Sequence, residues 1–470
     1  MSNADLAARF ARACELTQSG RDLEARQAYL DLLAIAPDHA GALNNLGTLL
    51  FNTGFVTAAR TAYAEAVARH PTDPVGRVNL GNLHLEAQDF AAARVQFEAA
   101  LAVDPSLGEA HRGLAYCLEE AGDETGARRH RDFAYEGRAI TRLAWRGQRN
   151  PIRVLMLAAA RGGNIPARLL LDDRVFATTV AIADYCDHAL PLPAHDVLFN
   201  AIGDADLAGD AIEAARRLVA AEVGPIVNHP DRIAPTGRLA IAQRLADIPN
   251  VRTPKIALLP RAAFAQPGIA TILAAHGLAF PLLLRSLGFH TGRHFVRIEG
   301  EADAADAART LPGTNLAAIE ILDGRASDGK WRKYRAMMID GLIYPLHLAV
   351  SDHWKVHYFT AGMAGDPERR AEERRYLEDM AGFLGTRAVE ALDAIRERLG
   401  LDYGGIDFGV DSAGDVLLFE ANATMVINPP EPDAMWDYRR RPVARALDAA
   451  REMLVRRSGV TSVPGKANLS

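Results

Sequence analysis

Two carboxylates and an amide late in the chain carry the densest chemical signal in the sequence. Tyr403-Gly-Gly-Ile-Asp407-Phe-Gly-Val-Asp411-Ser-Ala-Gly414-Asp-Val-Leu-Leu-Phe-Glu420-Ala-Asn422 reads as two strands joined by a turn at Ser412-Ala413-Gly414. Asp407 lies near the start of one strand and Glu420 near the end of the next, so an antiparallel pair sets them opposite each other. Glu420 and Asn422 are two apart and project from the same face. Two like charges brought together in an apolar setting need a compensating cation. Hard oxygen ligands suit magnesium, which keeps waters and bridges nucleotide phosphates, with manganese as the alternative ion. The plain alternative is a hairpin with a wet polar face, and Leu417-Leu418-Phe419 directly before the acid weigh against it.

The elements upstream have to present an anion to that hairpin. A helix over 236–247 leads to an extended stretch at 251–259 and a helix near 268–276. Strand 279–285 ends in Arg285, a turn with Gly288 and Gly292 follows at 286–294, and strand 295–298 comes next. A strand, a glycine loop and a strand make a flap over nucleotide phosphates, because glycines bring backbone N–H groups close to an anion. The run Lys330-Trp331-Arg332-Lys333-Tyr334-Arg335 alternates, placing Trp331, Lys333 and Arg335 on one face of a strand. Residues 351–358 pack polar and aromatic groups together. His353, Lys355 and His357 are substrate-binding candidates there, with His353 or His357 as a base for an amine. Charged solvated surface is the competing reading of both stretches.

Two decoys are set aside. Gly324 to Trp331 fits G-x-x-x-x-G-K, but Trp331 stands where a P-loop needs Ser or Thr, and a strand follows where a helix is needed. The turn Arg161-Gly162-Gly163-Asn164 lacks the glycine spacing of a dinucleotide fingerprint. It is either a substrate-contacting loop or a plain tight turn.

Flap, hinge and metal hairpin in this order resemble the ATP-grasp family of carboxylate–amine ligases over roughly residues 152–455. The resemblance implies that Asp407, with Glu420 thirteen residues on and Asn422 after it, holds two magnesium ions on ATP. It also implies that Arg238 and Arg285 replace the family's phosphate lysines, and that Gly288 and Gly292 line the flap. Glu320 and Leu322, in Ile319-Glu320-Ile321-Leu322, correspond to the adenine hinge. Arg335 and Lys333 stand where the fold places residues over the transferring phosphoryl group, as its charge stabilisers. Many members carry an arginine two residues before the metal aspartate, and here Gly405 takes that place. After Asn422 the usual Ser-x-Pro-Gly is replaced by Ala423-Thr424-Met425-Val426.

The first third has a different logic. Leu46-Gly47, Ala59, Tyr63, Ala66 and Pro71 recur 34 residues later as Leu80-Gly81, Ala93, Phe97, Ala100 and Pro105. This period resembles the tetratricopeptide repeat, as about four units over 6–141. Small residues let the two helices of a hairpin approach, the aromatic fills the space between hairpins, and proline ends the second helix. Arg131 replaces the aromatic in the last unit, which reads as a solvated cap. Such a stack holds a peptide or protein. Asn44, Asn45, Asn79 and Asn82 either bond its backbone or are ordinary surface residues.

Residues 142–151 then read as an arginine-containing linker, and short apolar runs at 152–158, 175–183, 197–202 and 225–228 imply a small parallel sheet. The expected organisation is multidomain. An all-α tetratricopeptide-repeat solenoid (1–141) precedes an α/β pre-ATP-grasp domain (152–234), an α+β ATP-grasp domain (235–455) and a tail (456–470).

Composition sets the outer limits. The 470 residues are 49% hydrophobic and 24% charged, and 53 basic against 59 acidic side chains give a net charge of −6. That balance asks for neither nucleic acid nor an anionic membrane. Cys14, Cys117 and Cys186 are too scattered for a disulfide framework or a zinc site. With no apolar run long enough for a bilayer and no secretory pattern at the start, a cytoplasmic protein is expected. The functional expectation is an ATP-dependent ligase that activates a carboxylate as an acylphosphate and joins it to an amine, with a partner on the repeats. The alternative is a catalytically degenerate nucleotide-binding scaffold. ATP-dependent phosphorylation without ligation is a third, weaker option.

Overall fold

The computed structural model describes residues 2–148, 150–289 and 293–460. Gly292, expected in the flap, and residues 461–470 of the expected tail lie outside these. The chain divides into two compact units, residues 1–138 and 139–470.

Among the described residues the first unit is four helical hairpins: Asn3–Gln18 with Asp22–Ile35, Ala40–Asn52 with Val56–Arg69, Pro74–Glu86 with Phe90–Val103, and Gly108–Glu120 with Glu124–Tyr135. Asp73 caps one helix that has Pro74 in its first turn, and Asp89 and Asp123 cap two others through their side chains. The repeating glycines are set by contact. A Cβ on Gly47 would lie 2.5 Å from the Tyr63 ring, and one on Gly81 would lie 2.8 Å from Phe97.

Two expectations for this unit change. Arg131 is buried and paired with Glu124 at 2.7 Å and Glu119 at 3.4 Å, so the last unit substitutes an ion-pair cluster for the aromatic. Asn44 is buried and donates to Asp73 while accepting from Asn79, and Asn45 donates to Tyr29 and Cys14. These three amides join helices to one another. Asn82 is the exposed member of the set.

The second unit contains three sheets among the described residues. The first is built from β1 (Ile140–Arg142), β2 (Ile152–Ala158), β3 (Phe176–Ile182), β4 (Val197–Asn200) and β5 (Ile226–Val227), in the order β1-β3-β2-β4-β5. β2 to β5 are parallel, and β1 is an antiparallel edge. The expected repeat boundary at 141 therefore moves to 138, because Ile140–Arg142 belongs to this sheet.

β6 (Val251–Arg252) is a short strand of the third sheet. The second sheet, β7 (Ile256–Pro260), β8 (Leu282–Ser286), β9 (Phe295–Ile298) and β10 (Asn315–Glu320), is antiparallel in the order β7-β10-β8-β9. Helices Ile269–Ala275 and Glu301–Thr310 give it a core of its own.

The third sheet adds β11 (Trp331–Ile339), β12 (Leu342–Ser351), β13 (Tyr403–Val410) and β14 (Val416–Asn422), in the order β12-β11-β13-β14-β6. Its core is continuous with that of the first sheet and is closed by helices Thr386–Leu399 and Asp437–Arg457. The expected boundary at 234/235 falls inside this shared core, and the last helix runs past the expected tail start at 456.

Buried Asn228 joins the two sheets. It has a φ of +56° and bonds both Asp402 and Tyr403 at the start of β13, while Asn200 donates to its carbonyl. The strand that carries Asp407 is fixed at its base by this amide.

Candidate functional site

Strand register builds a row of charged side chains across the third sheet. β12 sets His347 beside Arg335 of β11, β11 sets Arg335 beside Asp407 of β13, and β13 sets Asp407 beside Glu420 of β14. Directly opposed residues lie about 4.5–5.5 Å apart at Cβ, so these four stand side by side in sequence. The ladder is interrupted by shifts between Arg335 and Ala336 and between Asp407 and Phe408. Such irregularities re-aim side chains next to sites.

Asp407 is 3% exposed and bound on both oxygens. Arg335 Nε and Nη2 meet it at 2.6 and 2.9 Å, and Lys333 Nζ at 3.0 Å. Burial works against this carboxylate. The charges of Arg335 and Lys333 and the Arg335 hydrogen bonds outweigh that and hold it well below the usual carboxylate range. Glu420 is likewise opposed by burial and held ionised by Arg238 and Arg285. Arg238 Nη2 donates to Glu420 Oε1 at 2.8 Å and Asn422 Nδ2 donates to the same oxygen at 3.1 Å, while Asn422 Oδ1 accepts from Thr424. One acid thus faces two cations, and Glu420 stands between two more.

Arg285, at the end of β8, borders a cleft with Arg238, Glu420, Asn422, Gly288 and Ile256. Burial and the nearby Arg238 push its pKa down to about 10. Its guanidinium donates to the Phe289 carbonyl and stands 5.5 Å over the Phe295 ring.

Two acids that the sequence reading missed, Asp204 and Asp206, border the same cleft from the loop after β4. Asp206 accepts from the Arg238 backbone N–H, and burial together with Asp204 raises its pKa. Their only sequence signal is a pair of acids after an apolar run, which is common in loops.

Of the expected substrate residues, half-buried His357 is brought to the row: burial, then the Lys333 and Arg335 charges, lower its pKa. Lys355 donates to the Phe295 carbonyl at 3.2 Å, where burial and then the Arg285 charge lower its pKa, and His353 is exposed on the turn after β12. The Glu320 side chain accepts from the Lys255 backbone N–H and Leu322 is buried. Neither side chain lines the cleft among its described walls. Gly405 has no room for a side chain, since a Cβ there would come within 2.9 Å of Met337 Sδ and of Met425.

Among the described residues, no group of three or more His, Cys, Asp or Glu converges as a metal cluster. What converges is two acids and an amide, a hard-oxygen set that fits magnesium in kind. Among the described residues, no helix is long and apolar enough to cross a membrane.

Comparison with known proteins bears on the first unit. The tetratricopeptide-repeat family profile matches residues 10–74 and 78–130. Among solved structures, one of MamA is 19% identical over 26% of this chain and 72% of its own, with a TM-score of 0.25. MamA from Desulfovibrio magneticus RS-1 is 20% identical over 27% of this chain and 72% of its own, with a TM-score of 0.25. A tetratricopeptide repeat protein from Parabacteroides merdae ATCC 43184 is 17% identical over 28% of this chain and 53% of its own, with a TM-score of 0.27. Among curated proteins, none matches. Period, packing and profile agree: residues 1–138 are a tetratricopeptide-repeat solenoid, an architecture that serves interaction with proteins.

Proposed function

We propose that residues 139–470 are an ATP-grasp-type ligase that activates a carboxylate as an acylphosphate and joins it to an amine, on behalf of a partner held by the repeats. The observation that carries this reading is the row Arg335–Asp407–Glu420 running into the Arg238 and Arg285 cleft. Arginine-lined clefts suit polyphosphate, and the pair Lys333 and Arg335 offers more positive charge than Asp407 neutralises.

In this reading Arg238 and Arg285 bind the inner phosphates, and Gly288 lets the flap backbone approach them. Lys333 and Arg335 turn to the transferring phosphoryl group, where charge spreads over the equatorial oxygens. Asp407, Glu420 and Asn422 would hold magnesium, which when bound neutralises and orients the phosphates. Adenine would be read by backbone groups near Glu320 and Leu322, since the Glu320 carboxylate is engaged by Lys255.

A carboxylate oxygen attacks the γ-phosphorus and ADP leaves. The amine nitrogen then attacks the acyl carbon and phosphate leaves, its surplus proton passing to His357. Burial and the neighbouring cations keep that imidazole neutral, the form a base needs.

The full chain with magnesium, ATP and pools of carboxylic acids and amines should release ADP and free phosphate together, and only when the right acid is present. ADP without free phosphate would indicate a kinase. ATP affinity unchanged in a doubly substituted Asp407→Ala, Glu420→Ala protein removes the site from consideration. One observation favours a second reading, a nucleotide-binding scaffold without turnover: both oxygens of Asp407 are already occupied by cations. ADP formation from any acid in the pool disposes of it.

A further inference from the structure

Of the arginines that border the cleft, Arg238 meets Glu420 at 2.8 Å, but among the described residues no acid pairs with Arg285. Glu420, Asp204 and Asp206 act on its charge only through space. Its contacts are of another kind. Arg285 is buried, donates to the Phe289 carbonyl and stands 5.5 Å over the Phe295 ring. Strand register places that ring, since β8 and β9 set Arg285 directly opposite Phe295. Phe295 is half-buried and is not one of the described walls of the cleft. Its influence on anything bound there passes through Arg285.

Phe295 is held in turn by the segment that follows β12. The Trp354 ring meets the Phe295 ring with centroids 5.6 Å apart and planes at 70°, and Lys355 Nζ donates to the Phe295 carbonyl at 3.2 Å. Val356, the next residue, packs against the core shared by the first and third sheets, whereas β8 and β9 belong to the separate core of the second. Residues 354–356 therefore tie the strand beside Arg285 to the sheet that carries Asp407 and Glu420. Lys355 also brings positive charge toward Arg285, whose own charge lowers the Lys355 pKa after burial has done so.

A guanidinium is planar, and its fork matches phosphate oxygens in pairs only when that plane is set. An ion pair would set the plane but would also neutralise the charge. An aromatic face sets it and leaves the charge uncancelled. Lysine has no plane to stack, so the ring gives a physical reason for arginine at this position. We propose that Phe295, braced by Trp354 and Lys355, is a positioning residue that holds the Arg285 guanidinium in the orientation that meets the nucleotide's inner phosphates. This rests on the ligase reading and adds to it the residues that aim one of its cations.

Calorimetric titration of the full chain with magnesium and ATP tests this without requiring turnover. Phe295→Leu should weaken binding about tenfold, and Phe295→Tyr, which keeps the ring, should stay within about twofold of wild type. Trp354→Leu, which removes the brace, should weaken it about threefold. The deciding measurement is a double-mutant cycle with Arg285→Lys. If the ring acts by aiming the fork, that change weakens ATP about tenfold in wild type and less than about threefold in the Phe295→Leu chain. Losses that add in full would mean that the ring serves the fold alone, and they overturn the proposal, as does unchanged affinity in Phe295→Leu. Circular dichroism checks the fold of each variant, and Trp354→Leu takes the place of Phe295→Leu in the cycle should the latter not fold. If wild type binds no ATP, the ligase reading fails by itself, and inorganic triphosphate becomes the titrant. The same coupling with triphosphate upholds the positioning role, and no binding of triphosphate to wild type overturns it.

Discussion

The repeat unit and the β-rich unit both bury arginine, and they balance it differently. Arg131 meets two acids, Glu119 and Glu124, at the end of the solenoid. In the third sheet the ratio is reversed, with Arg335 and Lys333 sharing Asp407. An arginine met by carboxylates completes a structure. A carboxylate met by more cations than it can neutralise leaves a place for an anion. On the proposed function, the difference separates a cluster that belongs to the fold from one that takes a ligand, which burial alone does not do.

The largest test of that contrast is Asp407→Asn. It strands two cations and should lower stability by about 3–5 kcal/mol, the usual loss when one partner of a buried pair is removed. ATP without metal should then stabilise the variant more than wild type, because the phosphates supply the missing charge. Urea unfolding with and without ATP measures both, and equal stabilisation of the two proteins would break the comparison.

Arg131→Met should cost about 3 kcal/mol by the same logic, seen in the unfolding of the helical unit by circular dichroism. Phosphate and ATP should leave that loss unchanged, and recovery by either anion would make the solenoid cluster a binding site as well.

The smallest effect is in acid. The folded carboxyls of Asp407 and Glu420 are depressed below the unfolded values of about 4, so the stability they confer is complete above that pH. It is lost as pH falls toward the folded values, since the unfolded chain then binds more protons. Lys333→Gln removes one of the charges that depress Asp407 and should move the acid limb of an unfolding profile to higher pH. An unmoved limb would show that Lys333 contributes little to holding the acid ionised.

The legible features are those set by local periodicity. The 34-residue period shows as hairpins because each requires a small residue under an aromatic, as Gly47 under Tyr63 and Gly81 under Phe97. The two strands and their turn are legible from sequence, but the register that the turn sets would oppose Asp407 to Phe419, and only the shift between Asp407 and Phe408 brings Glu420 opposite it. Asn44 and Arg131 misled, because a polar residue on a helix has the same sequence signature whether it faces water or a buried partner. Nothing nearby in the chain announces the partners of Arg238, His347 or Arg439.

By itself, then, the sequence determined the repeat, the hairpin and the residue types on the hairpin face, since these depend on contacts between near neighbours. Only the tertiary structure decided that Arg335 meets Asp407 across 72 positions, that Arg238 meets Glu420 across 182, and that the first and third sheets share one core. It also decided that Arg439 ends up on Tyr358 and Trp436. Such pairings are fixed by how strands and helices pack once the chain has closed on itself. Their free energy comes from desolvation and charge in an interior that no local pattern specifies.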